Sequence, residues 1–218
     1  TSVLLLRGEA ADPASAPESA ADPAIQYMDA DFLHDVDNPA EKVGYADHVF
    51  VGYVEEKTGT TYKDPVVVRE KEYTHPYTDY TVRVLENLKG TLPADTAIAV
   101  QKRGGLLMDQ TAIELYEGDW LPETGKTYIF IALVNFDGSL LLSGPNSNVL
   151  IEDAPQPDFY DAQAAPPLVE QYRYTCEHES VIERDRFTCI YNQAPENFAA
   201  DTTTSDSGSA PSDDSDAA

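Results

Sequence analysis

The chain has 218 residues, with 39 acidic against 14 basic side chains and a net charge of −25. Such a field opposes phosphate backbones and anionic lipid surfaces, which are held by clustered Lys and Arg, so nucleic-acid and membrane-surface partners are not expected. Apolar residues make up 42 % of the chain, enough for one core, yet no run approaches the ~18 apolar residues of a membrane span.

Residues 1–24 begin with an apolar stub, TSVLLL, which reads as the tail of an export signal or membrane anchor. Ala, Pro, Ser, Asp and Glu follow, too little to bury against the entropy of ordering, so a stalk is expected. The 25–37 stretch sets Asp29, Asp31, His34, Asp35 and Asp37 among a few apolar residues. It lacks the glycine and terminal glutamate of a calcium loop, and a solvated acidic face is expected without a metal. Asn38, Pro39 and Glu41 spell a helix start: a capping side chain, a proline at the first position, and a carboxylate able to reach back. The helix should stop near Gly44 or Ala46.

The 47–56 stretch, DHVFVGYVEE, reads as a strand, with Gly52 marking a bend or a close neighbour. After a turn at 57–61 comes a long excursion with a possible extra strand. Tyr80, Val82 and Val84 alternate with polar residues, and the apolar pair Val84-Leu85 breaks the phase, which predicts a bulge. Ile98 and Val100 continue the sheet to Gly104-Gly105, and Ile113 with Leu115 suggest a short strand. The 121–125 stretch, LPETG, matches a sortase signal, but 93 residues follow it; a turn that launches the next strand is expected. YIFIALV at 128–134 predicts a central strand buried on both faces. Asp137-Gly138 then predicts a hairpin, with a return strand at 140–142 and a closing one at 149–151.

The thiol inventory is Cys176 and Cys189. Twelve residues separate them, a spacing suited to a local disulfide and not to a zinc site. Tyr172, Tyr174 and Cys176 alternate, as do Phe187, Cys189 and Tyr191, so a disulfide-clipped hairpin is expected in a 153–198 extension. A helix through 169–186 is the rival. Residues 199–218 read as a disordered acidic tail.

Five stretches come in order: ADHVFVGYV (46–54), YTVRVLENLKG (80–90), AIAVQKRGG (97–105), LPETGKTYIFIAL (121–133) and LLLSGPNSNVLI (140–151). Their succession resembles the bacterial secreted domains whose fold is similar to tissue inhibitors of metalloproteinases, the netrin-like form of the OB-fold. A mainly β domain is expected over 25–152; the resemblance covers 41–151 and implies a small five-stranded, partly open barrel with one short packed helix. It also implies export and attachment to a bacterial cell surface. The animal inhibitors use an N-terminal cysteine against zinc; this chain begins with Thr1, so that mechanism does not carry over.

No nucleophile elbow, zinc-protease helix or phosphate-binding glycine loop is present, so no catalytic, cofactor or metal residue is assigned. Tyrosines are the better signal, being rigid and amphipathic. Tyr73, Tyr77, Tyr116 and Trp120 are the candidate ligand contacts. The expected function is a non-catalytic, exported binding or scaffold domain recognising an extracellular protein or glycan through barrel loops. The alternatives are a protease inhibitor acting by loop insertion and a carboxylate-based hydrolase using Glu55, Glu70 or His48.

Overall fold

The computed structural model describes residues 23–192. The acidic tail expected over 199–218, and all of the expected stalk but Pro23 and Ala24, lie outside them. In chain order the described residues form β1 (Ala24–Met28), α1 (Pro39–Tyr45), β2 (His48–Val68), β3 (Lys71–Lys89), β4 (Ala97–Arg103) and β5 (Gly105–Leu106). β6 (Ala112–Tyr116), β7 (Thr127–Val134), β8 (Leu140–Leu142), β9 (Asn148–Leu150) and α2 (Pro167–Glu177) follow. The domain is mainly β.

The larger sheet is held by pairings that lead back to their start. β2 pairs antiparallel with β3, and β3 with β4. β4 runs parallel to β8, β8 antiparallel to β7, and β7 antiparallel to β2 again. The one parallel junction arises because the excursion through β5, β6 and β7 intervenes between β4 and β8. β9 adds to β7 beside β8. A second, small sheet joins β1 in parallel to β6, and β6 to β5.

The apolar alternation decides two cores. Phe50, Val54, Tyr80, Val82, Val84, Ile98, Val100, Phe130 and Leu140 turn to one face of the larger sheet and are buried together. Val49, Val51, Ile129 and Ile131 turn the other way, under Val43 of α1 and Val169 and Tyr172 of α2. β7 therefore needs apolar side chains on both faces, which is why YIFIALV is unbroken. Asn38 caps α1, its side chain accepting from Ala40 N at 3.1 Å. The bulge falls where the phase breaks: Val51 faces Glu86 and Gly52 faces Val84, leaving Leu85 unpaired. At Gly52 a Cβ would stand 2.6 Å from Val82 and 2.9 Å from Phe130, so only glycine lets the strands close there.

The excursion after β2's first half is not a separate strand. β2 and β3 continue as one ribbon to a turn at Arg69 and Glu70, both with positive φ. Thr124-Gly125, within LPETG, is a turn; Gly125 N donates to Val54 O at 2.8 Å and β7 starts two residues later. The 24–28 stretch, expected as part of a stalk and an acidic face, is instead a strand, because β6 offers it an unpaired edge.

The disulfide-clipped hairpin is not formed. Both thiols are free and are not at disulfide distance. Val169, Tyr172 and Cys176, at helical spacing, face the second core, while Tyr174 is exposed and stacks on His178. The apparent alternation was thus a sampling of two helix faces. The helix reading holds only to Glu177. Beyond it the chain has no regular structure up to a last short turn; Cys189 is buried in the first core. An exported compartment accordingly draws no support from the cysteines.

Candidate functional site

Of the candidate aromatics, the fold brings Tyr77 and Tyr116 together around Arg103. The Arg103 guanidinium lies 5.1 Å from the Tyr77 ring and 5.8 Å from that of Tyr116. It also donates to Glu114 Oε1 at 3.0 Å, to Pro76 O at 3.3 Å and to Met28 Sδ at 3.2 Å. Glu114 in turn meets His75 Nδ1 at 2.9 Å. Tyr77 donates its hydroxyl to Asp64, and burial, then that bond, raises its pKa. These groups satisfy one another, so Tyr77 and Tyr116 flank a structural arginine. Tyr73 stands far out on the ribbon opposite Val66, and half-exposed Trp120 follows β6.

Tyr116 also lines a cavity of about 250 Å³ beside α1. Its walls include Phe32, Tyr45, Ile131 and Leu133, with Lys42 and His34 as polar members. Phe32 meets Tyr116 edge-on at 5.3 Å, and His34 stacks on Tyr45 at 4.5 Å. Both ring nitrogens of His34 are buried without a hydrogen-bond partner among the described residues. Burial, then the charge of Lys42, lowers the His34 pKa, so its imidazole is neutral. The acidic residues around it turn elsewhere: Asp35 accepts from Asp37 N and Glu41 from Asp35 N, closing the loop into α1.

Lys42 is 5 % exposed. Its ammonium donates to Ser143 O at 3.1 Å, and among the described residues no carboxylate lies within ion-pair distance. Burial, then the nearby charge of Lys102, lowers its pKa to about 8. Deeper in, Lys102 is fully buried and is saturated by both Asp119 oxygens and Ser147 Oγ at 2.7 Å, with Gly144 O at 3.1 Å. Burial pushes Lys102 down and Asp119 up, and their mutual contact opposes both shifts. Full hydrogen bonding of the ammonium favours the ionised pair.

The carboxylates considered for hydrolysis do not converge. Glu55 is bound to Arg83 at 2.7 Å, Glu70 sits at the ribbon turn, and His48 is buried at the start of β2 with its pKa lowered by burial. Sequence reasoning missed Lys42, Lys102, Asp119 and Arg103. A lysine on a short capped helix carries no mark of facing inward; the available hint was the apolar neighbour Val43 and the small residue Gly44.

A scan against protein-family models and a search of curated proteins each match nothing for this chain.

Proposed function

We propose that this protein is an exported, non-catalytic binding domain on an OB-type, netrin-like barrel, recognising an extracellular protein or glycan through loops at one end of the sheet. The barrel reading is supported by the cycle of pairings β2-β3-β4-β8-β7 back to β2, with its single parallel junction; two helices, α1 and α2, pack outside where one was expected. The family resemblance supplies export and surface attachment. No described helix is long and apolar enough to cross a membrane.

The observation that carries the binding role is the β2–β3 ribbon. β4 accompanies β3 from Arg83 back only to Thr78, and the ribbon runs on to its turn at Arg69-Glu70. There Val66, Val67 and Tyr73 are 46 %, 68 % and 47 % exposed. Apolar and aromatic side chains on a projecting, backbone-paired arm are suited to contact with a partner. An array of glycans and bacterial envelope proteins tests this with the wild-type chain, Val67→Asp and Tyr73→Ala. A specific binder weakened about tenfold or more by these changes is expected; binders indifferent to both would reject the ribbon.

The same projecting hairpin favours one second reading, protease inhibition by insertion of the ribbon tip into a cleft. Stoichiometric slowing of a protease that is lost in Val67→Asp would select it.

A further inference from the structure

We propose that the cavity between the 30–34 segment, α1 and β7 binds a small apolar carboxylate, its carboxylate pairing with Lys42 and accepting from His34. Three independent features of the cavity point there. The first is a cation without a counter-ion among the described residues. An ammonium taken out of water is costly unless paired, and one backbone carbonyl uses one of its three hydrogens. The neighbouring carboxylate of Asp119 is already committed to Lys102. Asp31, also on the lining, is exposed, so its charge is screened by solvent.

The second feature is His34. A neutral imidazole offers one N–H and one lone pair, and both nitrogens are buried and unused. The ring stacks on Tyr45, which holds its edge in place. Buried polar atoms in native proteins nearly always have partners, so an unused pair on a cavity wall is a place for a ligand. The third feature is the rest of the wall: Phe32, Tyr116, Ile131 and Leu133 are apolar surfaces suited to a ring or branched chain.

Together these select the ligand class. One uncompensated positive charge matches one carboxylate; a phosphate would bring more charge and more oxygens than Lys42 and His34 can satisfy. The volume is also right. An apolar cavity of ~150 Å³ holds benzene, so about 250 Å³ accommodates a ring with its carboxylate. The carboxylate could belong to a free acid or to the C-terminus of a peptide, and a volume of about 250 Å³, little more than a ring with its carboxylate, favours the free acid.

Calorimetry on the full chain with benzoate and with benzamide as probes tests the site. Benzoate should bind about tenfold or more tightly than its neutral isostere. Near pH 8 to 9 its binding should take up protons, because the carboxylate returns Lys42 to its charged form. Lys42→Met should reduce benzoate to the level of benzamide. Equal affinity for the two probes, benzoate binding unchanged in Lys42→Met, or no benzoate binding would each overturn the proposal. Should Lys42→Met fail to fold, the ratio of the probes on the wild-type chain decides alone. A peptide ending in a phenylalanine carboxylate that binds where benzoate does not would overturn the free-acid assignment. The outcome is independent of the ribbon, since Val67→Asp leaves the cavity wall intact.

Discussion

At the scale of single residues, the buried polar groups carry the sharpest tests. Asp119 neutralises Lys102, which has no exposure, and also accepts from Trp120 N. Asp119→Ala leaves that ammonium without its partner and should lower unfolding stability by about 3–5 kcal/mol in denaturant titrations. Replacing both together, Lys102→Met with Asp119→Leu, should recover most of the loss, since a buried pair is often matched by apolar residues. Lys42 differs because it has no such partner among the described residues. Its pKa is depressed to about 8, so between that value and its ordinary 10.5 the unfolded chain holds a proton that the folded chain has released. Wild-type stability should therefore rise relative to Lys42→Met as pH increases through that window. At pH 7, where the charge is retained, Lys42→Met should be the more stable by about 1–2 kcal/mol. The gain is less than the full desolvation cost of about 3 kcal/mol because Ser143 O loses its donor. A Lys42→Met chain less stable than wild type at pH 7 would refute the uncompensated charge. The thiols give a third test. Burial raises Cys176 to about 11 and raises Cys189 as well, so native protein should react slowly with thiol reagents. The denatured, unreduced chain should titrate two thiols; none would restore the disulfide.

At the scale of elements, the C-terminal extension is held by packing and ion pairs where a disulfide had been expected. Asp47, the residue before β2, accepts from Val134 N at 2.7 Å and binds Arg184 and Arg186. Ser180 N donates to Ala40 O at 3.0 Å, and Gly44 makes that approach possible: a Cβ there would stand 1.9 Å from Ser180 O. Gly44→Ala should therefore push the extension off α1. The expected sign is faster amide exchange at 178–186 and a loss of about 1–3 kcal/mol. Exchange unchanged in that segment would show that the contact does not hold it. Local signals made many elements readable. The Asn38-Pro39-Glu41 start, the phase break at Val84-Leu85, Asp137-Gly138 and the unbroken run of β7 each depend on neighbours a few residues away. α2 was misread because Tyr172, Tyr174 and Cys176 satisfy a strand period as well as a helical one, and only contact with Val43 and Ile129 in the second core separates the two. β1 was missed because its exposed, acidic-flanked residues gain a strand conformation only from β6.

For the molecule as a whole, the two cores share β2 and β7 as a common wall. The ribbon projects from the first and the Lys42 cavity opens beside the second, so a partner and a small acid could be held at once without shared contacts. The net charge of −25 would oppose entry of an anion from a distance, and salt should relieve that opposition. By itself the sequence determined the β-rich class, the capped short helix, the central strand, the bulge and the surplus of negative charge, since these follow from backbone preference and side-chain period. Only the tertiary structure decided which polar groups lie inside. Lys42 meets Ser143 from 101 residues away, Arg103 meets Met28 from 75, and both cysteines are carried to separate cores. Such meetings depend on where the chain returns after folding around a shared interior, and no local propensity encodes that.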